Sequence, residues 1–97
     1  MNKERILSLL AGRREDILVR FGVKKLGVFG SAARDDMRSD SDVDILVEFQ
    51  DAATFDKYMD LKAYLEALLG TAVDLVTEDA LKPRMRPYIE KDMVRVA

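Results

Sequence analysis

The chain has 97 residues, of which 48% are hydrophobic and 35% charged, and its formal net charge is −2. That balance describes one folded domain over 1–97, not a disordered chain, and it supplies no general basic field for holding nucleic acid. The absence of Cys and His removes disulfides and the usual ligands of zinc, haem and iron–sulfur groups.

No apolar run approaches the ~20 residues that span a bilayer. The segment MNKERILSLLAGRRED carries charges through its apolar stretch, unlike a signal peptide. A reducing cytoplasm is the expected setting. Residues about 3–20 are expected to be helical, with Ile6, Leu10, Ile17 and Phe21 near one face and Gly12 as a place to break or bend. Lys25-Leu26-Gly27-Val28-Phe29 reads as a short strand. Gly30-Ser31 follows at a strand-to-helix junction, and Ala32 to Arg38 begins with good helix formers. Glycine permits close approach of the backbone there, Ser31 can cap the helix, and the first-turn N–H groups can meet an anion such as a triphosphate tail. Taken alone, Gly-Ser reads more readily as an ordinary capped helix.

Val43 to Phe49 alternates with period two. Val43, Ile45, Val47 and Phe49 point to one side, and Asp42, Asp44, Leu46 and Glu48 to the other. Asp42 and Asp44 then lie roughly 7 Å apart at Cα, from a rise of about 3.3 Å per residue. Like charges so placed disfavour each other unless water or a cation offsets them. Thr54 can cap a helix from about Phe55 to Leu69, with Phe55, Met59, Leu61, Leu65, Leu68 and Leu69 inward and Gly70 as a stop. Thr71 to Thr77 is another apolar strand with Asp74 near its middle, where aspartate is depleted. If it pairs beside the Asp42–Phe49 strand, Asp74 joins the acidic face. Leu81-Lys82-Pro83 is a break. Arg84 to Lys91 reads as a short helix interrupted or started near Pro87, and Met93 to Val96 as a last edge strand. The alternation predicts an α/β or α+β fold, a small mixed sheet with helices packed on one face.

Gly30-Ser31, ten intervening residues and then Asp42-Val43-Asp44 join an anion-holding turn to a carboxylate pair. Oxygen-only donors favour Mg²⁺ or Mn²⁺ over zinc. Glu48 lies further along the strand and reads as a surface acid. Arg34 either reaches a phosphate or faces solvent. Arg84, Arg86 and Tyr88 form a cationic and aromatic cluster that reads more readily as a surface helix than as a nucleotide contact.

The run VFGSAARDDMRSDSDVDILVEF resembles the nucleotidyltransferase superfamily that includes DNA polymerase β and the aminoglycoside nucleotidyltransferases. It is most similar to the minimal nucleotidyltransferase branch, whose members commonly act as antitoxins beside helical HEPN-domain toxins. The resemblance covers nearly the whole chain and implies a polymerase-β-like fold. It implies that Gly30 and Ser31 hold the β- and γ-phosphates of ATP, with Arg34 and Ser41 also fitting the branch pattern at the nucleotide. It implies that Asp42 and Asp44 bind two Mg²⁺ ions, and that Asp74 binds the ion nearer the acceptor and orients or deprotonates a hydroxyl attacking the α-phosphorus. The implied acceptor is a tyrosine of the toxin partner, which receives AMP as pyrophosphate leaves; neither nucleic acid nor membrane is a direct partner. The length is expected to leave little room for an acceptor pocket, so a partner protein is expected to supply the acceptor or complete the site in a hetero-oligomer, and the lack of an acceptor domain favours a protein acceptor over a drug. The alternatives are a non-catalytic antitoxin that inhibits by binding, and a small-molecule (antibiotic) nucleotidyltransferase.

Overall fold

The computed structural model describes residues 1–38 and 40–97. The stretch expected to be one helix is two, α1 (Lys3–Ala11) and α2 (Arg14–Arg20). Asn2 caps α1 by accepting the Arg5 N–H at 2.9 Å. The break falls at Gly12-Arg13, where the Gly12 N–H returns to Ser8 and the Arg13 N–H to Leu10. The turn lets both helices aim apolar residues at one core, since Ile6, Leu10 and Ile17 are all fully buried.

Strand β1 (Val23–Phe29) leads directly into the one-turn helix α3 (Gly30–Arg34). Strand β2 (Val43–Phe49) follows, then the long helix α4 (Phe55–Leu69) and strand β3 (Val73–Thr77). A 3₁₀ turn at Glu78–Ala80 leads to α5 (Arg86–Asp92) and the short strand β4 (Val94–Arg95). Pro87 falls in the first turn of α5, where a missing N–H costs no intrahelical hydrogen bond.

The four-stranded sheet has the order β3-β2-β1-β4. β1 is antiparallel to β2 and to β4, whereas β2 and β3 are parallel. A parallel pair needs a long crossover, and α4 provides it. The mixed sheet with packed helices is the architecture the sequence predicts.

One face of the sheet carries the main core. Val43, Ile45, Val47 and Phe49 of β2 join Leu26 and Val28 of β1 and Leu61, Leu65 and Leu69 of α4. Phe55 and Met59, expected inward, are 77% and 41% exposed; Tyr58 and Tyr64 pack on the core instead. Met59 lies one residue past Tyr58, about 100° around the helix, which turns it away. Tyr64 also stacks at a tilt on Phe21, with ring centroids 5.0 Å apart.

The opposite face carries the acids and is also partly roofed. Leu46, pointing the same way as Asp44, is 1% exposed. The stretch from Leu81 to Met93 lies over this surface: Ile89 shares a cavity with Phe29, Asp74 and Val76, and Met93 presses on Gly27. A Cβ at Gly27 would stand 2.8 Å from Met93 Sδ, so the close approach depends on glycine. No helix among the described residues is long and apolar enough to cross a membrane.

Candidate active site

The site is built where β1 ends, β2 begins and β3 runs beside it. In the parallel register Asp44 is paired with Asp74, and in the antiparallel register it is paired with Phe29, the residue before Gly30. These pairings follow from the apolar alternation, since Ile45 opposite Leu75 and Val43 opposite Val73 bury their side chains only in this register. Asp74 therefore emerges on the surface that carries Asp44. Asp42 precedes β2 by one residue instead of belonging to it, and it is exposed.

Gly30 adopts φ +69, a conformation costly to residues with a Cβ. A Cβ built there would overlap the Asp44 carboxylate, so glycine lets the β1–α3 backbone lie against that carboxyl group. The Asp44 carboxyl is pushed up to about 6. Burial is the largest cause; the charges of Asp74 and Asp42 and a side-chain hydrogen bond with Asp74 add to it, and Arg34 opposes them weakly. A carboxyl group held in this way lacks positive charge. That deficit, together with the oxygen-only donors and the cradle that a Cβ would fill, fits a hard divalent cation. Among the described residues, no three acidic side chains form a ready-made cage. The fit therefore rests on the Asp44–Asp74 pair with Asp42 adjoining it.

Other expected residues are used differently. Ser31 does not cap α3: Phe29 is the N-cap, no side chain caps it, and Ser31 is the second helical residue. This leaves the Ser31 side chain outside the helix-capping role. α3 stops at Arg34, short of the expected Arg38, because Asp35 takes the left-handed conformation at φ 60. Asp35 then accepts the Lys3 N–H at 3.0 Å, which ties α3 to α1. Arg34 is held by two carboxylates, Asp36 at 3.3 Å and Asp92 at 3.2 Å, and these hydrogen bonds raise its pKa, the one to Asp92 most. It thus links α3 to the end of α5. Ser41 Oγ accepts the Arg38 N–H at 3.0 Å, and the Ser41 N–H donates to Arg38 O at 3.0 Å, closing the loop before Asp42.

The C-terminal cluster divides. Arg86 is ion-paired with Glu78 and with Glu90, Tyr88 is 74% exposed, and Arg84 lines the cavity next to Asp74. Glu48 stands 4.0 Å from Lys24 and shares a small cavity with Asp51, Glu78 and Asp79, not with Asp42, Asp44 or Asp74. Asp92 is not marked by any local pattern, because it lies 58 residues from Arg34.

The model of the nucleotidyltransferase domain family matches residues 10–96. The chain belongs to that family, in its minimal branch, and is a nucleotidyltransferase. It is 43% identical over 93 residues to the protein adenylyltransferase MntA of Thermococcus cleftensis, a match covering 96% of this chain and 94% of the relative. A Methanocaldococcus jannaschii relative, described as a candidate protein adenylyltransferase, is 38% identical and covers 94% of each chain. A solved structure described as a candidate minimal nucleotidyltransferase superposes with TM-score 0.82 at 37% identity, covering 97% of this chain and 95% of that one. The MNT antitoxin bound to a tri-AMPylated HEPN toxin of Shewanella oneidensis superposes with TM-score 0.68 over 94% of this chain and 71% of the other. At 18% identity that likeness is one of fold.

Proposed function

We propose that the chain transfers AMP from ATP to a tyrosine hydroxyl of a HEPN-domain partner, and so acts as the antitoxin of a toxin–antitoxin pair. One observation carries this reading: the strand register sets Asp44 beside Asp74 while the Gly30 backbone lies against the same carboxyl group. The 43% identity to a protein adenylyltransferase supports AMP as the group moved and a protein as the acceptor. A toxin–antitoxin complex of the same fold, and an MNT antitoxin of that fold bound to a tri-AMPylated HEPN toxin, support the kind of partner.

In this reading the β1–α3 turn at Gly30 and Ser31 receives the triphosphate. Asp42, Asp44 and Asp74 would hold the divalent cation, Mg²⁺ in this reading. Bound Mg²⁺ supplies charge neutralisation on the triphosphate and on the departing pyrophosphate. Asp74 orients the acceptor O–H and takes its proton. The acceptor oxygen forms a bond to the α-phosphorus as the bond from that phosphorus to the bridging oxygen breaks, and pyrophosphate leaves with that oxygen. Such chemistry depends on positioning and electrostatics, so few protein groups are needed. Arg34 reaches a phosphate after exchanging Asp92 or Asp36 for it, and Ser41 acts by fixing the loop that presents Asp42.

The test is intact mass of the protein encoded beside this chain after incubation with ATP and Mg²⁺. The expected result is one or more AMP adducts on that partner, absent with Asp42→Asn or Asp44→Asn. A partner that is inhibited but unmodified would replace this reading with inhibition by binding. Adducts on an aminoglycoside and none on protein would replace it with a drug-modifying enzyme.

A further inference from the structure

A cavity of about 430 Å³ opens beside Asp74. Phe29 and Val76 of the sheet form one wall, and Leu81, Met85 and Ile89 of the C-terminal segment form the other. Lys82 and Arg84 also line it. Its size lies within the range of ligand sites, which run to roughly 300–1,000 Å³. Asp74 borders this cavity, whereas Gly30, Asp42 and Asp44 do not. The apolar groove therefore opens beside Asp74, the acid assigned to the acceptor, with Phe29, the residue before Gly30, in its wall.

We propose that this cavity is the subsite for the acceptor side chain: it takes an aromatic ring that carries the reacting hydroxyl, and Lys82 and Arg84 at its rim select an acidic stretch of the acceptor protein. The inference rests on the transfer reading given above. It is argued from three features. A group whose hydroxyl reaches Asp74 must present an apolar body to Phe29, Val76, Leu81 and Ile89, and an aromatic ring does so. A sugar polyol would leave hydroxyls unpaired against these walls, at a cost, and a serine would leave the walls unfilled. Among the described residues the ion pairs of this segment are those of Arg86 with Glu78 and Glu90 and of Asp92 with Arg34, so Lys82 and Arg84 keep their charge free for an incoming acid. Met85, 45% exposed, gives the rim an adaptable apolar flap.

The experiment labels the Met and Ile methyl groups of the full chain and follows them by NMR during titration with three probes. The first is a peptide with tyrosine between Asp and Glu residues, the second the same peptide with Lys and Arg flanks, and the third adenosine. MgATP uptake and AMP transfer to the first peptide are measured in parallel. The expected result is saturable movement of the Met85 and Ile89 methyls with the acidic tyrosine peptide, and several-fold weaker binding of the basic one. In the double variant Lys82→Glu, Arg84→Glu the preference reverses and KM for the acidic peptide rises, while MgATP uptake and the Ile45 methyl signal, which reports the core, stay as they were. Movement of these methyls by adenosine and not by the tyrosine peptide would overturn the inference, making the cavity a base pocket. Absence of movement with either, in a protein that takes up MgATP and transfers AMP to its partner, would also overturn it and leave the transfer reading standing. Absence of MgATP uptake and of all AMP transfer would overturn the transfer reading, and the methyl shifts would still decide whether the cavity holds an aromatic side chain.

Discussion

A methyl group at position 30 has nowhere to go: the backbone is at φ +69 and the Asp44 carboxylate occupies the space a Cβ needs. Gly30→Ala should therefore move Asp44 or the β1–α3 turn, and displacement of about 1 Å at a reacting group costs on the order of 100-fold in rate. The left-handed conformation adds roughly 1–2 kcal/mol of destabilisation. Pyrophosphate release and thermal melting check the two effects separately. The Asp44 carboxyl yields a second prediction. Its value in the folded chain is about 6, against an ordinary 3.8. The folded state thus binds this proton more tightly than the unfolded state does. Its stabilising contribution is fully present below the ordinary value and is lost as pH rises through about 6. In chelator, the chain should accordingly lose stability from this group between these two pH values. Asp44→Asn should melt higher than the parent at neutral pH without metal, and added Mg²⁺ should narrow that gap by raising only the parent. A variant that melts below its parent in chelator at neutral pH would contradict this account of the carboxyl group.

At the scale of elements, α4 does more than complete the crossover. β3 is an edge of the sheet, and two of its outward backbone groups are taken by α4 side chains. Glu66 Oε2 accepts the Val73 N–H at 2.9 Å, and the Tyr58 O–H donates to Leu75 O at 2.6 Å. An edge strand with free backbone groups invites pairing with another chain, and side chains that occupy those groups discourage it. Tyr58→Phe and Glu66→Ala should each cost about 0.5–1.5 kcal/mol in thermal or denaturant melts. Together they should increase concentration-dependent association in size-exclusion chromatography. The same elements show what a sequence exposes and what it conceals. The Val43–Phe49 and Val73–Thr77 strands are legible because period two is a local property, and their shared pattern places Asp74 beside Asp44. The turn at Gly30 and the spacing to Asp42 are legible for the same reason. The length of α3 is not, because it depends on Asp35 adopting a left-handed conformation and bonding Lys3, 32 residues away. Nor is the Arg34–Asp92 bridge, since it forms only after α5 has packed against α3. Phe55 and Met59 carry the composition of a core face, yet the orientation of α4 on the sheet turns them to solvent.

At the scale of the whole molecule, the sheet separates the main core from the acid-bearing surface. One surface holds the continuous core, in which Ile45, Val47, Leu61 and Leu65 are fully buried. The other carries Asp44, half-buried, and Asp74, exposed beside the C-terminal segment. Neighbouring residues of β2 thus meet opposite surroundings by pointing opposite ways. Substitutions at 44 or 74 and at 45 should then have separable consequences, although the positions are adjacent in sequence or in register. Ile45→Ala removes buried methyl groups from a packed core and should cost about 2–5 kcal/mol. That is a large fraction of the roughly 5–15 kcal/mol typical of a native protein. Transfer activity should fall in this variant in step with the unfolded fraction, and cooling or a tightly bound partner should restore it. Asp74→Asn removes no apolar contact, leaves a polar side chain at an exposed position and lifts a like charge from Asp44, so its stability without metal at neutral pH should match or exceed that of the parent. Its transfer rate should nonetheless fall by the 10²–10⁴-fold associated with loss of a group that positions and accepts a proton, and no change of temperature or partner concentration should rescue it. Melting and pyrophosphate release measured on the two variants side by side decide the matter. Loss of stability in Asp74→Asn comparable to that in Ile45→Ala would show that the acid-bearing surface is part of the core after all.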